Sequence, residues 1–97
     1  MASNLGIDPA YLIAEVDRLV AVPDRGAALE QLVQIRAGTD AIWARLAALH
    51  LAGGKLALIP QWVALANDDM RNLQVAVTVH LEPGWDARFR WPATGAV

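Results

Sequence analysis

The chain contains no cysteine. That excludes a disulfide framework, a thiolate nucleophile and any cysteine-based metal site. Serine occurs only as Ser3, in the lead-in, which removes a Ser-His-Asp arrangement. Lysine is equally scarce: Lys55 stands alone, and the other seven cations are arginines. With a formal net charge of −2 and a pI near 5.5, no global basic field exists to attract nucleic acid. No apolar run approaches the ~18 residues that a membrane-spanning helix needs. The opening MASNLGIDPAY has no basic segment ahead of an apolar one, so no signal peptide is expected, and the expected compartment is the cytoplasm.

What the chain does have is apolar residues. Its 97 residues suffice for one domain spanning residues 1–97, with residues 1–7 and 92–97 expected as loose ends. The composition is 56% hydrophobic and 19% charged, against a usual charged share of ~25%, and mean hydropathy is +0.32. Alanine accounts for much of this and is tolerated on surfaces. Four tryptophans in so short a chain are harder to accommodate. The excess implies that some apolar surface is covered by another copy or by a partner.

Three helices are expected first. DPAYLIAEVDRLVAV, residues 8–22, has Asp8 as N-cap, Pro9 in the first turn and an apolar stripe of Leu12, Ile13, Val16, Leu19 and Val20. Glu15 and Arg18 are spaced to pair on its wet side, and Pro23 ends it. DRGAALEQLVQIRAG, residues 24–38, places Leu29, Leu32, Val33 and Arg36 at helical spacing, with Asp24 as cap and Gly38 just beyond the end. Thr39 caps the third, whose stripe is Ile42, Leu46 and Leu49 flanked by Trp43; Gly53-Gly54 stops it.

The period then changes from helical to two. In NLQVAVTVHLE, residues 72–82, one face carries Leu73, Val75, Val77, Val79 and Leu81, and the other is largely polar. This alternation predicts a strand with one buried face. PGWD makes a turn, and ARFRW, residues 87–91, returns with Phe89 and Trp91 inward and Arg88 and Arg90 outward. KLALI, residues 55–59, reads as a further strand, although Pro60 could instead start a short helix running into VALANDD. The expected fold class is therefore α+β, three N-terminal helices followed by a two- or three-stranded antiparallel sheet.

Two short helices joined by AGTD, the LAALHLAGG helix end and a later hairpin together resemble the winged helix-turn-helix pattern across residues 27–91. The resemblance implies a third helix that reads bases and a wing that holds phosphate. The face left for reading, Asp40, Ala41, Ala44, Arg45 and Ala48, offers one Arg against one Asp, so core packing is the better expectation for that helix.

Catalytic, cofactor and metal sites are not expected. His50 and His80 lack the spacing and companions of a zinc site. NDDMRN, residues 67–72, lacks the alternating ligands and closing Glu of a calcium loop and reads as a connecting turn. Gly53-Gly54-Lys55 lacks the rest of a phosphate cradle. Trp43 and Trp62 are expected in the core. Trp85, in the turn, either folds back with its indole N–H bonded or anchors an interface, since Trp and Arg are enriched at interface hot spots. The interface candidates are Trp85, Arg88, Arg90 and Trp91. The expected function is non-enzymatic association, with itself or another protein, through the hairpin and sheet edge. A winged-helix-like DNA-binding regulator is the alternative.

Overall fold

The computed structural model describes residues 10–36 and 41–89, and of Arg88 only the backbone. Asp8, Pro9, Gly38, Thr39, Arg90 and Trp91 therefore lie outside the described residues. The elements are α1 (Ala10–Leu19), α2 (Arg25–Leu32), α3 (Ala41–Leu51), α4 (Ile59–Asp68) and α5 (Met70–His80), with single 3-10 turns at Val22–Asp24, Leu56–Leu58 and Ala87–Phe89. Among the described residues there is no strand.

The centre is α3. Its sequence AIWARLAALHL is apolar on nearly every side, and a helix of that kind must be enclosed. It touches each of the other four helices. Ile42, Ala44, Leu46, Ala47, Ala48 and Leu49 are all buried, so the small alanines are where neighbouring helices approach. Ala44 and Ala48, which the winged-helix resemblance would leave on a free face, are fully enclosed, as core packing requires. Arg45 is half-buried and turned along the chain. Its Nη2 donates to the carbonyls of Val33 (3.1 Å) and Ile35 (2.9 Å). A helix so covered has no face to lay in a groove of DNA, and the winged-helix reading falls with it.

The first helix forms close to where its pattern places it, whereas the second covers only the first half of its expected range and leaves Val33, expected on its stripe, exposed. Leu12, Val16 and Val20 are buried along α1, Leu19 is half-buried, and Ile13 is half-exposed at the margin. The second helix ends at Leu32, short of the expected Gly38, because the chain then turns inward to bury Ile35 completely. The carbonyls released there need partners. Arg45 supplies two donors; Asn67 of α4 donates Nδ2 to Gln34 O (3.0 Å) and accepts from the Arg36 N–H (2.9 Å).

The α+β expectation is overturned beyond Gly54. Residues 55–59 are not a strand: a 3-10 turn leads into α4, with Pro60 in its first turn, where a missing N–H costs nothing. Residues 72–82 are not a strand either, and no hairpin with 87–91 forms among the described residues. The physical reason is that the same segment carries a second period. Met70, Leu73, Val77 and Leu81 recur at three and four, and in α5 Leu73 and Val77 are buried while Met70 and Leu81 pack against the core. Asp69 provides the start, its Oδ1 accepting from the Arg71 N–H at 2.9 Å. A lone two-stranded hairpin is marginal in water, whereas a helix bonds its own backbone and buries one stripe against α3 and α4. The β-branched residues cost a few tenths of a kcal/mol each in a helix, roughly, which burial of Leu73 and Val77 outweighs at roughly 1.5–3 kcal/mol apiece.

The Gly53-Gly54 stop is realised as expected. The Gly54 N–H bonds Leu49 O at 3.2 Å and the Gly53 N–H bonds His50 O at 3.0 Å, the paired bonds of a Schellman motif. Both glycines have positive φ, 63° and 78°. They differ in surroundings: a Cβ at Gly53 meets nothing, while one at Gly54 would run into the Leu19 backbone carbonyl at the end of α1. Gly53→Ala should therefore cost only the left-handed penalty, about 1–2 kcal/mol. Gly54→Ala should cost distinctly more, by at least another ~1–2 kcal/mol, because α1 must shift. Urea denaturation of the two variants checks this, and equal midpoints would show that the contact with α1 carries no weight.

Candidate functional site

Two places gather chemistry-bearing or apolar side chains in a way the core does not require. The first lies where α1, the end of α3 and the segment after α5 meet. Glu15 faces inward from α1 and is 4% exposed, although its spacing to Arg18 is that of an ordinary surface pair. Arg18 grips it with a two-pronged bond, Nε to Oε2 at 3.0 Å and Nη2 to Oε1 at 2.8 Å. The hydrogen bond to Glu15 is the main reason the guanidinium's pKa lies above its ordinary value, with partial desolvation acting the other way. His50, near the end of α3, places Nε2 2.9 Å from Glu15 Oε1.

Over this pair lies an aromatic cover. The Trp85 ring is 5.0 Å from His50, 6.0 Å from Trp43 and 6.3 Å from Phe89, centroid to centroid. Phe89 is 1% exposed and packs on Tyr11 at 5.2 Å. The Trp43 indole donates to Asp86 Oδ2 at 2.9 Å. The turn Trp is thus folded back on the helices and half-buried, with its neighbour Asp86 fastening Trp43. Both oxygens of Glu15 are already engaged by Arg18 and His50, and the Trp85 and Phe89 rings pack against the imidazole at tilted angles. Such an arrangement holds the C-terminal turn onto α1 and α3; it does not present a poised base to a cleft.

The remaining tryptophan, Trp62, packs against the core from α4 and stands edge-on to His80 at 6.3 Å. Its Nε1 is buried with no hydrogen-bond partner among the described residues. Of the four interface candidates, only Trp85 has a described side chain. Sequence reasoning missed the burial of Glu15, which spacing to Arg18 could not reveal, and the roles of Arg45 and Asn67, which depend on distant carbonyls. Among the described residues no three His, Asp or Glu side chains converge to hold a metal ion.

The second place is the outer side of α5. A shallow, mostly apolar groove runs there between Arg71, Gln74, Val75, Thr78 and Val79. Val75 is 61% and Val79 68% exposed, where the strand reading had turned both inward. The other exposed large apolar side chains, Ile13, Val22, Val33 and Leu58, come one at a time from separate elements. Among the described residues, only α5 presents two on one stripe. No single described helix is long and apolar enough to cross a membrane.

Compared with known proteins, the chain matches no family model, no curated protein and no solved structure. The class that the fold itself defines, among the described residues, is a small helical domain without strands.

The polar–aromatic cluster makes a quantitative expectation. Glu15→Ala and Trp85→Ala should each destabilise the domain by about 2–4 kcal/mol, one by leaving His50 and Arg18 without their acceptor, the other by opening a cavity over the ring. Because both act through His50, the double variant should lose at least ~0.5 kcal/mol less than the sum of the two. Chemical denaturation across the four proteins of that cycle gives the answer; strict additivity would mean that the two contacts are independent.

Proposed function

We propose that this protein works by non-catalytic association with a protein partner and that the outer stripe of α5 is the contact face. The observation that carries the reading is the valine pair: Val75 and Val79 sit one helical turn apart, both about two-thirds exposed, on the side opposite the buried Leu73 and Val77. Exposed apolar side chains grouped on one face mark interaction sites more often than scattered ones do. The composition points the same way, with few charges and a high apolar share. The contact moves from the sheet edge, which does not exist among the described residues, to a helix face.

Burying the exposed part of two valines contributes roughly 1–2 kcal/mol each. Set against the cost of association, that supports a weak or transient contact, and a larger face would need help from elsewhere. A closed Glu15–His50 pair beneath tryptophan supports the non-catalytic half of the reading.

The test uses a benzophenone-bearing residue placed at Val75 and, as a control, at the exposed Gln61 of α4. Irradiation in the source cell should give a crosslinked protein adduct at position 75 and none at 61. Equal adducts at the two positions, or none at either, would sink the reading. In parallel, Val75→Lys with Val79→Lys should leave stability within about 1 kcal/mol of the parent, since neither side chain is buried, while abolishing that adduct from a crosslinker at Thr78.

A further inference from the structure

We infer that the His50–Glu15 contact is a proton-operated tie: a proton on His50 fastens the turn that carries Trp85 and Asp86 onto α1 and α3, and its loss loosens that turn. The inference does not depend on the reading of α5.

The geometry starts from Glu15. Its carboxylate is almost wholly buried, and the two-pronged grip of Arg18 favours the ionised form. His50 Nε2 and Arg18 Nη2 meet at the same oxygen, Oε1, at 2.9 and 2.8 Å. An ionised carboxylate only accepts, so Nε2 carries a hydrogen whether the ring is neutral or charged. The proton that comes and goes is therefore the second one, and with it goes a full positive charge 2.9 Å from the carboxylate.

Three features favour the charged ring: Glu15 itself, a place in the last turn of α3, where the helix end is negative, and the Trp85 ring, whose centroid lies 5.0 Å away. Burial and the like charge of Arg18 act against it. The Arg18 side chain is 52% exposed, however, so water screens its repulsion more than it screens the enclosed contact with Glu15. The other charges on neighbouring elements do not reverse this. Within α3, Arg45 is turned to the carbonyls of Val33 and Ile35. From the turn, Asp86 accepts from Trp43 and Glu82 is exposed, and both are anions that favour a cation beneath them. His80, at the end of α5, stands against Trp62.

Trp85 and Phe89, the rings that pack on the imidazole, both belong to the turn after α5. Lifting that turn lets water to the ring and weakens its attraction to Glu15. The docked state thus binds the proton more tightly, and by reciprocity the proton favours docking. Its contribution is complete below the ordinary histidine range, ~6.5, and is lost as pH rises through the higher midpoint of the docked ring.

The Trp43 indole N–H, bonded to Asp86, reports docking through its hydrogen exchange. Its protection, corrected for intrinsic base catalysis, is followed by NMR on the full chain from about pH 5 to about pH 9, together with the His50 ring signals. Protection should fall at least about threefold as pH rises, with the same midpoint as His50. In His50→Gln, whose amide still donates to Glu15, protection should not change with pH. In Glu15→Gln the His50 midpoint should drop, and in His80→Gln the parent's dependence should remain. Protection that is flat in the parent, or that falls with a midpoint other than that of His50, overturns the inference without recourse to any variant. So does a fall that persists in His50→Gln.

Discussion

Everything in this molecule depends on enclosing α3. A helix whose apolar surface continues around its circumference cannot lie at an edge, because every exposed side would leave apolar area in water. Four neighbours are the answer, and the sequence supplies alanines where they must come close: Ala44, Ala47 and Ala48 are fully buried. The double glycine after α3 serves the same end. It closes the helix with two turn-back bonds and lets the chain pass against the carbonyl of Leu19, so that α1 and the start of α4 are held to one end of α3.

Polar side chains finish what burial begins. The irregular stretch after α2 would be a weak point, with carbonyls released by the helix end. Arg45 and Asn67 reach it from α3 and α4 and meet those carbonyls directly. Elsewhere, Glu15, Arg18 and His50 form a charged and polar knot, and Trp85, Phe89 and Trp43 close over it. Each device ties a segment that lacks a long helix of its own to one that has it. The result is a domain whose side chains of chemical interest are largely committed to holding the chain together. Among the described residues, the outer α5 face is the helix stripe that presents two exposed large apolar side chains.

That division bears on function. A Glu–His pair in a small protein invites comparison with acid–base machinery, but here the carboxylate is gripped by Arg18 and the imidazole lies under tryptophan. Association needs no such chemistry. The proposed contact needs a face that remains soluble alone and still gains by being covered, and two valines framed by Arg71, Gln74 and Thr78 meet that description.

How much was legible beforehand differs from one element to the next, and the reasons are physical. Helix α1 and the core role of α3 could be read from local pattern: Leu12, Val16 and Val20 recur at four, and Ile42, Leu46 and Leu49 at four and three, with a glycine stop that allows no other continuation. For residues 72–82 the local pattern was ambiguous, because Leu73 and Val77 satisfy a period of two and a period near four equally well. The choice belonged to the environment. A strand there needed a sheet to join, and the rest of the chain offered α3 and α4 instead, so the helix formed and turned Val75 and Val79 outward. Glu15 shows the same limit at a single residue: its pairing with Arg18 is local and was readable, while its burial depends on His50, 35 positions away. By itself the sequence determined the helical N-terminal half, the enclosed third helix and the absence of cysteine chemistry, because those follow from spacing and residue type alone. Only the tertiary structure decided the state of the C-terminal half, the fate of Trp85 and which apolar side chains face water, because each of these is settled by what happens to lie opposite once distant segments have packed.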